Sequence, residues 1–316
     1  MTYTWHPSRD YRENSNVSRL MRTLGADSAN ELRARSVADI GAFWETVVQD
    51  LGLEFRVPYR QVLDLTGGIA YPEWFPGGQL NVVDAAVSRW ARQTPDTPAV
   101  VHEAEDGTVR TVTFAELSDQ VVRVRGGLRR HGIGPGDAVA IYLPMTPEAV
   151  VALYAIASIG AVAVPLFSGF AATAIASRIQ DAGARAVITA DGTVRRGKTV
   201  RMLPQVREAL AACPSVEFTA VVANLGEPQG TGRDREVPWQ VLLEGDADLA
   251  AEPTAASDIL LLAYTSGTTG KPKGAVHTHA GFLVKTASEV AYGFDITPAG
   301  SSAGSPTWAG SWGRCR

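Results

Sequence analysis

Between residues 138 and 189, three short apolar runs, AVAIYL, AVAVPL and ARAVIT, are separated by two stretches of helical character. The first helical stretch is opened by Thr146-Pro147-Glu148 and closed by Gly160; the second runs near 171–182 and is closed by Gly183. This alternation implies a mainly parallel sheet with helices on both faces, because a parallel neighbour requires a crossover long enough to hold a helix. The runs are continuously apolar rather than alternating, as strands buried on both faces are. Ala149–Phe170 is the one membrane candidate, with 22 residues and no charge. Its length would suffice for a span, but Ser158, Gly160 and Pro165 fall where a helix would end and a strand begin. A buried helix–turn–strand is expected.

Upstream, Asn81 can cap a helix through Ala91, and PAVVHEAEDGTVRTVTF alternates about an Asp106-Gly107 turn, which signals a hairpin. Thr113 and Glu116 sit at capping-box spacing before a helix that runs to His131 and stops at Gly132. Residues 1–80 read as a helical, then aromatic-rich leader. Val37–Leu51 has helical apolar spacing with Gly52 as its stop. Tyr71, Trp74 and Phe75 make the stretch after it an ordered wrap over a larger domain rather than a linker. Residues 224–257 read as surface connections around a short helix at 238–243. His277 and His279, two apart on a predicted strand, would share a face without a third ligand, so no metal site is expected there.

The chemistry concentrates in residues 259–274, ILLLAYTSGTTGKPKG. A branched apolar run predicts a buried strand, and GAVHTH predicts a second, followed by a helix from about Gly281 to Tyr292. Between the strands the side chains shrink to Thr265, Ser266, Thr268 and Thr269, interleaved with Gly267 and Gly270. Backbone N–H groups and hydroxyls can therefore approach an anion closely. Lys271 and Lys273 add positive charge, and Pro272 limits how the loop bends. The Walker A pattern is excluded, since Gly270-Lys271 is followed by Pro272 instead of Ser or Thr.

The eleven residues YTSGTTGKPKG resemble the phosphate-binding signature of the AMP-forming acyl-CoA synthetases, within the adenylate-forming enzymes. TFAEL followed by GDAVAIYLP, and the helix leading into GAVAVPL, resemble two core motifs of the same group in the same order. The aromatic leader ending in Gly77-Gly78-Gln79-Leu80-Asn81 is similar to the segment before the catalytic domain in the acetyl-CoA synthetase branch. The resemblance implies the N-terminal part of the adenylate-forming large domain, incomplete, over 81–298 behind a leader at 1–80. It implies ATP phosphates bound by Thr265, Ser266, Gly267, Thr268, Thr269, Gly270, Lys271 and Lys273, with Lys273 also catalytic and Mg2+ arriving with ATP. Coenzyme A is implied as co-substrate, its nucleotide end near Gly169 and Phe170 of LFSGF and near Arg195, Arg196, Gly197 and Lys198 of TADGTVRRGK. Lys198 stands where the family more often has Arg, which departs from bidentate phosphate geometry. Residues alone would also permit an ordinary solvated charge run at 195–198.

The implied parent reaction joins a small carboxylic acid to ATP and passes the acyl group to coenzyme A. A net charge of −4 does not suggest nucleic-acid binding. Cys213 and Cys315 are the only cysteines, which fits a reducing cytoplasm and excludes a disulfide framework. After DITPA, seventeen residues contain no Leu, Ile or Val. With permissible codons, SPTWAGSWGRCR shifted by one base reads TDMGWIMGPMP, similar to the segment downstream of the phosphate loop in these synthetases. The expectation is a frameshifted, non-native tail over 299–316 and an inactive fragment of the parent enzyme. A non-catalytic nucleotide- or CoA-binding module, or part of another adenylate-forming ligase, stays open.

Overall fold

The computed structural model describes residues 6–226, 235–247, 250–265 and 272–296. Among them, seven strands form the main sheet: β1 (Ala138–Tyr142), β2 (Val162–Pro165), β3 (Ala186–Ala190), β4 (Phe218–Val222), β5 (Glu236–Pro238), β6 (Ile259–Thr265) and β7 (Lys273–Thr278). Their order is β5-β4-β3-β1-β2-β6-β7. Every pairing is parallel except that of β6 with β7. β1, β3 and β4 are buried at every position, which accounts for their uninterrupted apolar runs.

Six helices are labelled here: α1 (Phe114–Arg130), α2 (Pro147–Ser158), α3 (Ala172–Ala182), α4 (Leu203–Leu210), α5 (Trp239–Leu243) and α6 (His279–Ser288). The expected capping box opens α1, with Thr113 and Glu116 satisfying each other's backbone N–H groups. The chain passes from β1 through α2 to β2 on one side, then back through α3 to β3 on the other. Right-handed crossovers therefore place α2 and α3 on opposite faces. α1 packs with α2 and α5, and α3 packs with α4, giving two helical layers around the sheet. The 149–170 run is the buried helix–turn–strand expected, and no described helix is long and apolar enough to cross a membrane.

The leader departs from expectation in one respect. The helical pattern over 37–51 is split at Asp39 into helices Ala29–Ala38 and Ile40–Asp50. Asp39 leaves the helical conformation, and its carboxylate caps the second helix by accepting the Ala42 N–H at 2.9 Å. Val37 is consequently 68% exposed, while Val47 and Val48 carry the burial. Phe55, Tyr59, Trp74 and Phe75 form an aromatic cluster with centroids 4.7–6.2 Å apart, as an ordered segment should. The short hairpin Pro98–Glu103/Val109–Thr113 turns as expected.

Residues 250–258 are more than a surface connection. Leu80 N–H donates to Thr254 O and Ala256 N–H to Gly78 O, so this stretch joins the end of the leader to the start of β6. Thr254 and Ala256 are both buried. The helix ending near 288 continues as a π-helical turn, Glu289–Gly293, and the leader grips it. Asp50 accepts from the Tyr292 hydroxyl at 2.6 Å and pairs with Arg19 at 2.9 Å. Asn16 donates its side-chain amide to Ala291 O and Ile296 O.

His277 and His279 do not share a strand face. β7 ends at Thr278, whose side chain caps α6, and His279 is the first residue of that helix, buried with no exposure, whereas His277 is exposed. Val82 N–H donates to His279 Nδ1 at 3.3 Å, so Nε2 carries the proton of the neutral ring, and it has no partner. Burial disfavours the charged ring and pushes its pKa down to about 4, against a smaller opposing pull from Asp258. A depressed histidine pKa means stability that is full above the unfolded value near 6.5 and lost as pH falls towards 4. The two values imply a loss of about 3 kcal/mol across that window. Urea unfolding at pH 7 and pH 4.5 should show the wild-type losing more stability than His279→Asn, whose amide can still accept from Val82.

At the α1–α5 contact, Gly126 and Gly127 let two backbones meet. A Cβ on Gly127 would fall against Leu242 O and Cα, closer than side chains approach backbone. Gly127→Ala should therefore destabilise by about 1–3 kcal/mol despite the higher helix propensity of alanine, read from the urea midpoint.

Candidate functional site at the carboxyl edge of the sheet

Because β2, β3 and β6 run in one direction, the segments leaving them emerge at the same edge, where open α/β sheets take their ligands. The segment after β2 is the 166–170 loop. Tyr142, the last residue of β1, donates its hydroxyl to Ser168 O at 3.1 Å and Phe170 O at 3.0 Å, and so holds this loop over the strand end. Burial pushes the Tyr142 pKa up to about 12, so it stays a donor at any physiological pH. Phe167 and Phe170 meet edge to face at 5.5 Å, and a Cβ on Gly169 would run into the Phe167 ring.

The segment after β3 begins at Asp191, a buried carboxylate that accepts N–H groups from Gly192, Asn224 and Leu225 at 2.7–2.9 Å. It ties the ends of β3 and β4 together. An antiparallel ribbon, Gly192–Arg195 paired with Lys198–Arg201, rises from it, in register from Gly192↔Arg201 to Arg195↔Lys198. Two residues are left for the turn, Arg196 at φ +53° and Gly197 at φ +69°, which is the type I′ geometry matched to strand twist. The ribbon's arginine returns to the first loop, since the Arg195 guanidinium lies over the Phe167 ring at 5.6 Å. The two segments expected to contact the coenzyme A nucleotide are thus in contact.

The segment after β6 is the expected phosphate loop. Thr265 and Lys273 face each other in the antiparallel ladder and close its mouth, both exposed. Ser266, Gly267, Thr268, Thr269, Gly270 and Lys271 lie outside the described residues, as does the expected tail at 299–316. The strand below the loop is fastened to the 166–170 loop through α3. Arg178 is buried, stacks on Phe170 at 4.1 Å and faces Tyr264 at 5.8 Å, and donates one N–H to Ala174 O at 2.8 Å. Its Nε has no partner, and burial lowers its pKa. Tyr264 donates its hydroxyl to Asp181 at 2.6 Å; burial first, then this carboxylate, raises the phenol's pKa well above its ordinary value.

Sequence reasoning missed Tyr142, Arg178, Asp181 and Asp191 as supports, and it missed the ribbon itself. The clue to the ribbon was present: Thr193-Val194-Arg195 and Lys198-Thr199-Val200 alternate about an Arg-Gly pair. No comparable signal marks Arg178 among the other polar positions of its helix. Among the described residues, no group of three His, Cys, Asp or Glu side chains is placed to hold a metal ion.

A parallel sheet with this edge is the framework of a nucleotide-using α/β enzyme, and residues 87–304 match the AMP-binding enzyme family. The chain belongs to that family. Residues 29–86 match the acetyl-coenzyme A synthetase N-terminus, which puts the chain in the acetyl-CoA synthetase-like branch. It is 38% identical over 301 residues to the acetyl-coenzyme A synthetase of Laribacter hongkongensis (strain HLHK9), covering 94% of this chain and 45% of that protein. It is also 38% identical over 259 residues to the human protein "Acetyl-coenzyme A synthetase 2-like, mitochondrial", covering 81% of this chain and 37% of the relative. Among solved structures, acetoacetyl-CoA synthetase from Streptomyces lividans superposes with a TM-score of 0.88 at 30% identity, over 95% of this chain and 47% of that one. The chain spans about half the length of the relatives it matches.

Tyr264→Phe tests the link between β6 and α3. Losing a hydrogen bond to a carboxylate at this part-exposed site should cost about 1–2 kcal/mol in urea unfolding. Asp181→Asn, which keeps an acceptor, should cost less than Tyr264→Phe.

Proposed function

We propose that this chain is the N-terminal part of an AMP-forming acyl-CoA synthetase. The parent reaction joins a small carboxylic acid to ATP, releasing pyrophosphate and forming an acyl adenylate, whose acyl group then passes to the coenzyme A thiol with loss of AMP. The observation that carries the reading is the meeting of three segments at one sheet edge: the loop mouth at Thr265 and Lys273, the 166–170 loop, and the cationic ribbon. Family membership supports the same reading.

In this proposal the ATP phosphates lie against the hydroxyls and N–H groups of Thr265, Ser266, Gly267, Thr268, Thr269 and Gly270, with Lys271 and Lys273 supplying charge. The donor set fits: small side chains leave backbone N–H groups accessible, and the closed Thr265↔Lys273 mouth fixes the loop's ends. Lys273 stabilises the negative charge that builds on the departing pyrophosphate. Mg2+, when bound with ATP, would neutralise phosphate charge. The chain's own contribution is to orient the phosphates, so that catalysis rests on positioning and fixed electrostatics without a protein nucleophile.

Coenzyme A would lay its nucleotide end on Gly169 and Phe170, with its phosphates towards Arg195, Arg196, Gly197 and Lys198. Cytoplasmic residence belongs to the same proposal; Cys213 is buried as a free thiol. The relatives' names point to acetyl and acetoacetyl groups, and we assign the substrate here as a short carboxylic acid. Because this chain spans half or less of each of these relatives, we further propose that it binds nucleotide without completing turnover.

The test is an assay of pyrophosphate and AMP release from ATP, magnesium, coenzyme A and a panel of short acids. One sample holds the 316-residue chain. A parallel sample holds the product of its coding DNA read onward in the shifted frame. Turnover is expected only in the second. Turnover by the chain alone would overturn the fragment reading, and none in either sample would overturn the assignment. In the active protein, Lys273→Ala should lower kcat/KM for ATP by about 10–100-fold, the worth of one charge-assisted contact to the phosphates.

A further inference from the structure

The Arg196–Gly197 turn is held from outside the ribbon. With both residues at positive φ, their successive N–H groups face one concavity of the kind that accepts an anion. Glu105 fills it: one carboxylate oxygen accepts from Arg196 N–H at 2.5 Å and the other from Gly197 N–H at 2.9 Å. Glu105 comes from the tight turn between Glu103 and Val109, about ninety residues away in sequence, beside the Asp106-Gly107 pair. The two bonds, that from Gly197 first, hold its carboxyl below the ordinary carboxylate range, assisted by the nearby charges of Arg195 and Arg196. Asp106 cannot substitute, because its carboxylate is engaged by the Thr108 N–H at 2.9 Å.

Gly197 adopts the left-handed region freely, whereas Arg196 meets a steric cost there. Two charge-assisted bonds are the means by which an arginine is kept in that conformation. The consequence reaches the cations. Arg195 and Lys198 are the paired residues that flank the turn, and Arg195 lies over Phe167. Among the described residues, Arg195, Arg196 and Lys198 make no ion pair, so their charge is directed to no internal carboxylate except through proximity to Glu105.

We propose that Glu105 is a positioning residue for the anion-binding edge: its carboxylate clamps the Arg196–Gly197 turn so that Arg195, Arg196 and Lys198 present their charge beside Phe167 to a nucleotide phosphate. The ligand in this statement, the nucleotide end of coenzyme A, rests on the function proposed above; the clamp does not. Glu105 acts as a support rather than as a competitor for the ligand. Both turn N–H groups are already taken by a carboxylate tethered in the same chain, and an incoming phosphate meets the cationic side chains without displacing it.

The experiment compares the 316-residue chain with Glu105→Gln and Glu105→Asp. Amide hydrogen exchange at Arg196 and Gly197 reads the clamp without ligand. Calorimetric titrations with coenzyme A, with adenosine 3′,5′-bisphosphate and with ATP read the consequence. Glu105→Gln removes the charge and one acceptor, so exchange at the two amides should quicken about tenfold, and coenzyme A and the bisphosphate should bind about 5–20-fold more weakly, with ATP unchanged. Glu105→Asp, which keeps the charge on a shorter arm, should fall between.

Wild-type exchange in Glu105→Gln would overturn the clamp. Faster exchange with unchanged or tighter coenzyme A binding would overturn the positioning role and favour competition. Equal weakening of ATP binding would reduce Glu105 to a general stabiliser and overturn the proposal. Absence of coenzyme A binding by the wild-type chain would overturn the ligand assignment and with it the role, while the exchange data would still report on the clamp itself.

Discussion

Parallel pairing of β1 with β2 on one side and β3 on the other is the constraint on which the rest of the structure depends. It carries the β1–β2 and β2–β3 connections through α2 and α3 and buries these strands on both faces. It also delivers the segments after β2, β3 and β6 to a common edge. Segments separated by up to about a hundred residues thereby become neighbours without any special sequence signal at the point of contact. The order in which strands are added reverses between β1 and β3, and a crevice at such a switch is where this class of sheet receives ligands.

What fastens the edge is a set of polar contacts made from below and behind. Tyr142 holds the 166–170 loop by two backbone carbonyls, Asp191 gathers three N–H groups at the ends of β3 and β4, and Arg178 bridges Phe170 to Tyr264. The arginines here serve as flat plates as much as charges. A guanidinium is weakly hydrated and stacks on rings, so Arg178 can be buried with one N–H unpaired where a lysine would be drawn to water. Arg195 on Phe167 repeats the device at the surface, where the charge remains available.

The leader is tied into the same architecture at both ends. Asp50 and Asn16 hold the turn after α6, and Gly78 and Leu80 pair with the 250–258 stretch that launches β6. His279, buried where Val82 just past the leader, α6 and Asp258 converge, links this junction to pH. β6 is therefore braced by the leader, through the 250–258 stretch, on one side and by α3 on the other. A segment that looks peripheral in sequence thus helps to mount β6.

Much of the fold was legible because it rests on local physics. Apolar runs bounded by glycine stops marked β1, β2, β3 and their helices, Thr113 and Glu116 marked the start of α1, and Asp106-Gly107 marked the hairpin. The expectation of an anion-binding loop over 265–273 also comes from residue types alone, from small side chains interleaved with glycines and followed by lysines. Periodicity could not reveal the break at Asp39, because a cap competes with a continuing helix and only packing selects between them. Nor could spacing place His279 off the strand, or show that Glu105 reaches Arg196 and Gly197. Those contacts join residues whose separation along the chain carries no periodic signature. The sequence by itself determined which apolar segments become the strands and helices of the main sheet, and it carried the expectation of an anion-binding loop. Only the tertiary structure decided which carboxylate, ring and guanidinium meet at the sheet edge, because those meetings depend on the direction of parallel strands and on the crossovers between them.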